Sequence, residues 1–140
     1  MASAEALLSA GASKISINSP ALERPELLGE LVAALGSERI VVGIDSEAVP
    51  GDTWRVRSHT GRTETTRNLA LSTLDWVHTV SEYGVGEIVL NSMNTDGVRR
   101  GYDIEQLQAV TAATNVPIVA SGGAGSVQDF VRVFTETTVS

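Results

Sequence analysis

The sequence predicts an α/β fold built on a parallel sheet, and three observations carry that expectation. Four short runs rich in valine and isoleucine recur along the 140 residues: Lys14–Asn18 (KISIN), Ile40–Asp45 (IVVGID), Glu87–Asn91 (EIVLN) and Val116–Ser121 (VPIVAS). Continuous β-branched runs of this length suit parallel strands covered on both faces. Helical patterns lie between them, and strict alternation of strand and helix implies a parallel sheet with right-handed crossovers. Each run also ends in a hydrogen-bonding residue, where parallel α/β proteins place their active sites. The pattern fits an open doubly wound sheet or part of a (β/α)8 barrel.

The elements are expected in the order α-β-α-β-α-β-α-β-α. After the first strand, Leu27, Leu28, Leu31, Val32 and Leu35 fall on one helical stripe, with Pro20 and Pro25 suited to first turns and Gly36 to the helix end. After the second strand, Gly51 to Gly61 breaks the rhythm: DTWRVRSHTG alternates Trp54, Val56 and Ser58 between turn residues, which predicts a small exposed hairpin. Leu71, Leu74 and Val77 share a face of the next helix, closed by Gly84. Ile104, Leu107 and Val110 share a face of another, and Val127, Phe130, Val131 and Phe134 form the last stripe. Each stripe is expected to lie on the sheet. Asp103 with Gln106 and Ser126 with Asp129 are spaced as capping boxes. No linker or low-complexity tract divides the chain, so residues 1–140 read as one domain.

Composition narrows the function. Apolar residues make up 42% and charged residues 19%, enough for a packed core. Ten basic against 17 acidic residues give a net charge of −7, and the longest basic run is Arg99-Arg100, which argues against a nucleic-acid binder. No apolar run approaches the roughly 18 residues of a membrane span, and MASAEALLSAG lacks a basic leader, so a cytoplasmic protein is expected. The absence of cysteine excludes thiol nucleophiles and cysteine-ligated zinc, and His59 and His78 are too far apart in sequence to suggest a metal site. Neither metal nor cofactor is expected; the chemistry falls to carboxylates, hydroxyls, amides and backbone.

The four polar strand ends, Asn18-Ser19, Asp45-Ser46, Asn91-Ser92 and Ser121-Gly122-Gly123, would converge on one face around a small polar substrate. Asp45, directly after an apolar strand, would be partly desolvated, which favours a general acid or base; the alternative is an aspartate capping the next loop. Ser121 to Ser126 (SGGAGS) runs from a strand into a helix, and bare main-chain N–H groups there could meet an anion. Asp96, in NTDG after the third strand, is a turn residue or the second of a carboxylate pair with Asp45. Lys14 and Glu87 stand at the opposite, amino ends of their strands and read as a surface ion pair.

The segments GASKISINSPAL, IVVGIDS, GEIVLNSMNTDGVRRGYD and VPIVASGGAG closely resemble the cyclase subunit of imidazole glycerol phosphate synthase, in histidine biosynthesis. The resemblance implies a (β/α)8 barrel that takes ammonia from a partner glutaminase, forming a heterodimer with it. The barrel would close the imidazole ring of a bisphosphate ribonucleotide, releasing imidazole glycerol phosphate and an aminoimidazole carboxamide ribotide. By motif, Asp45 matches the family's second catalytic aspartate. Asn18 and Ser19 match positions binding one phosphate, and Asp96, Gly97, Gly122 and Gly123 the region holding the other. Asn91 and Ser121 would line the cleft, and Lys14 and Glu87 match two positions gating an ammonia passage. The resemblance also implies that the chain covers the third helix to the seventh helix of a barrel of about 250 residues. It would then hold four parallel strands, 4 to 7, without the family's first catalytic aspartate. Two unpaired strand edges would remain, a source of self-association. A phosphate-binding half-barrel without turnover, or a relative acting on another sugar-linked substrate, are the alternative readings.

Overall fold

The computed structural model describes residues 2–51, 53–59 and 67–140. In chain order the elements are α1 (Ala2–Ser9), β1 (Ile15–Ile17), α2 (Ser19–Glu23), α3 (Glu26–Leu35), β2 (Ile40–Ala48), β3 (Trp54–Ser58), β4 (Arg67–Ser72), α4 (Thr73–Glu82), β5 (Glu87–Ser92), α5 (Ile104–Ala113), β6 (Ile118–Ser121) and α6 (Val127–Glu136). The parallel pairs run β1-β2-β5-β6, and the sheet is not closed. This is an arc of a (β/α)8 barrel, with the four predicted strands and their flanking helices in place.

Strand β2 organises the sheet. Along one edge it pairs with β5 from Val41↔Glu87 to Ser46↔Ser92. Its other edge is shared: Ile40 to Val42 pair in parallel with β1, and Asp45 to Ala48 pair antiparallel with β3. Side chains alternate across a strand, so each strand splits its residues between two faces. Ile40, Val42, Ile44, Ile88, Leu90 and Ile118 point to the helices and are buried at 2% exposure or less. They pack with Leu28, Leu31, Val77, Val80, Leu107 and Val110 from the helical stripes. Val41, Gly43, Asp45, Glu87, Val89, Asn91 and Ser121 alternate with them and share the opposite, inner face. Strand and helix connect tightly at Gly86, where a side chain would collide with the Ser37 carbonyl.

Several local expectations need correction. The single helix expected before β2 is split at Arg24, because Pro25 disfavours a helical conformation in the residue before it. The hairpin after β2 is small, as expected, but its first strand is not exposed. β3 pairs with both β2 and β4 and contacts α4, and Val56, Arg57 and Ser58 are buried. Its expected end at Gly61 lies outside the described residues. Leu71 sits on β4 instead of opening the next helix, which starts at Thr73. The α6 stripe does not lie on the sheet: Val127, Phe130, Val131 and Phe134 are 49–72% exposed, and Val133 is the α6 residue buried against the core. Periodicity shows that a helix has an apolar face, and this one turns away from the four-stranded arc. Among the described residues no helix is long and apolar enough to cross a membrane.

Candidate active site at the carboxyl ends of the parallel strands

Strand register brings three of the predicted residues side by side. Asp45 pairs with Asn91, and Asn91 pairs with Ser121, so all three project from the inner face at one level. Asn18 follows β1 directly, and its side chain lies over Gly43: a Cβ there would sit 3.7 Å from the Asn18 Cβ and 3.8 Å from its Nδ2. These are ordinary van der Waals separations, so Asn18 packs across position 43 as it reaches the aspartate. Asn18 Nδ2 donates to Asp45 Oδ2 and Asn91 Nδ2 donates to Asp45 Oδ1, both at 3.0 Å. Asp45 is 9% exposed, so the carboxylate is buried and clasped by an amide on each side. The other ends of the two amides, Asn18 Oδ1 and Asn91 Oδ1, are buried without a hydrogen-bond partner.

Next to this clasp the loops after β5 and β6 interlock. Gly122 adopts φ +87°, and a Cβ on it would come within 2.9 Å of Asn91 Oδ1 and 3.0 Å of the Ser92 carbonyl. Glycine is required there both by the left-handed backbone and by the space. The Gly101 N–H donates to the Gly123 carbonyl at 2.9 Å, and Thr95 Oγ1 donates to the Gly122 carbonyl at 3.3 Å. Asp96 is exposed, its Cβ borders Gly122, and its N–H donates to the Ser92 carbonyl at 2.9 Å. Gly97, also exposed, follows in a left-handed turn. The structure thus gathers Asn91, Asp96, Ser121, Gly122 and Gly123 at one end of the sheet, with Gly97 at the rim.

Two expected features differ. The main-chain N–H groups opening α6 are not bare: Gly125 and Ser126 donate to Asp129 Oδ2 at 2.9 and 2.8 Å, and Ser126 Oγ adds a third bond at 3.0 Å. These bonds, the Gly125 N–H foremost, hold the Asp129 carboxyl below the ordinary aspartate value. Ser19 is engaged as well, because its Oγ accepts the His59 N–H at 3.0 Å, and His59 Nε2 lies 3.4 Å from Glu23 Oε1. The hairpin therefore docks over the start of α2.

Lys14 Nζ meets Glu87 Oε2 at 2.8 Å. Each stands four residues before Asn18 or Asn91 and on the same inner face, about 13 Å away along the strands. The ion pair and the aspartate clasp thus occupy opposite ends of one surface.

Sequence reading missed three residues around Asp45. Arg57 pairs in register with Asp45, is 8% exposed, and donates from Nε to Glu47 Oε2 at 2.5 Å. The alternation in WRVRS contained this signal, but an exposed hairpin gives no reason to single out an arginine. On the helix-facing side, Gln106 Nε2 donates to Ser46 Oγ at 2.6 Å, and Ser46 Oγ lies 2.7 Å from Thr73 Oγ1. This buried chain ties the end of β2 to the first turns of α4 and α5. The Asp103 box is consequently half made: Asp103 Oδ1 accepts the Gln106 N–H at 3.0 Å, while the Gln106 side chain turns to Ser46. Asp103 Oδ2 also accepts from Trp54 Nε1 at 3.3 Å, which fixes the hairpin base.

Comparison with known proteins places this arrangement. The family described as Histidine biosynthesis protein matches residues 1–140. The chain belongs to that family. Among curated members of the histidine biosynthesis family, it is 55% identical over 136 residues to the imidazole glycerol phosphate synthase subunit HisF of Xanthomonas oryzae pv. oryzae (strain MAFF 311018), covering 97% of this chain and 53% of the relative. It is 53% identical over 136 residues to the subunit of the same name from Xylella fastidiosa (strain 9a5c), with the same coverage. The chain spans about half the length of the curated relatives it matches.

Proposed function

We propose that this chain carries part of the catalytic face of an imidazole glycerol phosphate synthase cyclase subunit, acting in histidine biosynthesis in the cytoplasm, with residues 1–140 forming one partial-barrel domain. The observation that carries the reading is the buried Asp45 carboxylate, held by Asn18 and Asn91 at the carboxyl ends of adjacent parallel strands. Similarity to the HisF subunits supports it.

In this reading Asp45 is the general acid or base of ring closure, moving protons on the substrate as ammonia nitrogen enters the imidazole ring. A substrate with two phosphates spans the face. One phosphate lies at Asn18 and Ser19; because the Asn18 amide is used on Asp45, the Ser19 hydroxyl and the main chain are its contacts. The other lies at Asp96, Gly97, Gly122 and Gly123, where left-handed glycines let backbone approach closely. Asn91 and Ser121 line the cleft between them. Lys14 and Glu87, at the amino end of the same face, gate ammonia delivered by a glutaminase subunit docked there as a heterodimer partner.

The experiment is reconstitution. The chain is mixed with a polypeptide supplying the remaining strands of the Xanthomonas oryzae relative, and ammonia-dependent cyclisation is followed. Turnover above that of either piece supports the proposal. Phosphate binding without turnover in every reconstituted barrel would replace it with a non-catalytic phosphate-binding half-barrel.

A further inference from the structure

We propose that Arg57 binds the substrate phosphate placed above at Asn18 and Ser19, presenting Nη1 to it while Glu47 holds the rest of the guanidinium. The inference rests on the function proposed above and deepens it, because it gives that phosphate a cation.

Strand register sets Arg57 on the catalytic face. Arg57 pairs with Asp45 and Arg55 with Glu47, whereas Val56 pairs with Ser46 and both of these are buried on the helix side. Alternation therefore puts Arg57 and Glu47 beside Asp45 on the inner face, with the Arg57 and Asp45 Cβ atoms about 5 Å apart. Asn18 reaches the same aspartate from the end of β1, the other strand on this edge of β2. Two residues beyond Arg57, the His59 N–H donates to Ser19 Oγ. Arg57 is thus tied to both members of the Asn18-Ser19 pair, through Asp45 to one and through His59 to the other.

The state of the guanidinium points to a ligand. Among the described residues Arg57 is the only buried cationic side chain. It is 10% exposed where its ion-pair partner Glu47 is 40% exposed, so the cation is the deeper member of the pair. Desolvating an ion pair costs about as much as its attraction returns, and stability alone gives little reason to bury an arginine here. The bonding is also incomplete. Nε and Nη2 both lie 2.5 Å from one oxygen, Glu47 Oε2, and no partner takes the Nη1 donors. Nη1 is not among the buried unpartnered atoms, so it keeps solvent access.

Charge gives the phosphate a reason to use it. The Ser19 hydroxyl and the main chain are neutral contacts, and the carboxylates of Asp45, Glu47 and Glu23 stand around them. A phosphate dianion among carboxylates is repelled unless a cation touches it. A guanidinium already fixed by Glu47 supplies that contact at little ordering cost. Glu47 is then a positioning residue with two opposed effects: it aims the arginine, and its charge opposes the phosphate.

The test is titration of the chain with inorganic phosphate, followed through the Arg57 Nε–Hε resonance by NMR, with sodium chloride at matched ionic strength as the control. The Arg57 signal should shift saturably with phosphate, together with the Ser19 main-chain N–H, and not with chloride. Arg57→Gln should weaken phosphate binding, read at Ser19, by about tenfold, the weight of one charge-assisted contact. Glu47→Gln keeps an acceptor for Nε and removes a like charge, so it should tighten binding by roughly two- to fivefold. An ion pair of purely structural value would move both variants the same way. No shift at Arg57, an equal response to chloride, or unchanged or weaker binding in Glu47→Gln overturns the proposal. If Arg57→Gln does not fold, the wild-type titration and Glu47→Gln decide. No readout needs turnover: cyclisation by the reconstituted barrel with an unmoved Arg57 sinks this inference alone, and phosphate at Arg57 without cyclisation sinks the enzymatic reading alone.

Discussion

The two faces of the parallel arc are built from the same four strands and do opposite work. On the helix side, Ile44, Ile88 and Leu90 are buried at 1% exposure or less within the apolar cluster. On the inner side, one residue further along each strand, stand Asp45, Val89 and Asn91, with Lys14 and Glu87 paired at the far end. The helix side forms one apolar cluster with residues of α3, α4 and α5, while the inner side holds charge and unpartnered amide carbonyls. Because strand periodicity is two, a single stretch such as IVVGID stabilises the fold with alternate residues and sets out chemistry with the rest.

The largest break in this contrast is expected from Leu90→Ala. Removing a fully buried side chain should cost about 2–5 kcal/mol in urea denaturation, whereas Val89→Ala, half-buried on the other face, should cost about 1 kcal/mol or less. Equal losses would mean that the inner face is packed as tightly as the outer.

Next comes the polar chain on the helix side. Gln106→Ala removes the amide donor to the buried Ser46 hydroxyl, which keeps Thr73 as a partner, and should cost about 1–3 kcal/mol; because Ser46 adjoins Asp45, its effect on the Asp45 amide clasp is readable in the Asn18 and Asn91 side-chain resonances. Asp103→Ala removes the cap of α5 and the Trp54 contact together, with an expected loss of about 1 kcal/mol. Unchanged Trp54 fluorescence in that variant would contradict the anchoring of the hairpin.

Much of this was legible in the sequence, for identifiable reasons. The four valine- and isoleucine-rich runs became parallel strands, but in β1, β5 and β6 with alternate residues buried against the helices and not with both faces covered as expected. Asn18, Asp45, Asn91 and Ser121 converge because strand ends in register must. The α6 stripe was read correctly as apolar but assigned to the wrong neighbour, since periodicity carries no information about what covers a face. Arg57 was lost for a related reason: alternation gives two faces, and which one is buried depends on pairing with β2 and packing against α4. The Asp129 carboxylate at the start of α6 was visible as a capping box, yet its occupation of the glycine-loop N–H groups needed coordinates.

That cap supplies the smallest effect, read through pH. The Asp129 carboxyl is held below its ordinary value of 3.8, so its contribution is fully present above that value and is lost as pH falls through the lower, folded one. The stability difference between the wild type and Asp129→Asn should therefore be constant near neutrality and shrink in acid below about pH 4. A difference that persists unchanged at low pH would contradict the assignment.

The central claim is that the inner face around Asp45 carries chemistry and not structure. The most direct measurement is ammonia-dependent cyclisation by the reconstituted barrel with Asp45→Ala, alongside its thermal unfolding. Turnover should fall by about 10²–10⁴-fold, the range of a lost general acid or base, with the fold retained. Turnover within a few-fold of the wild type would contradict the account.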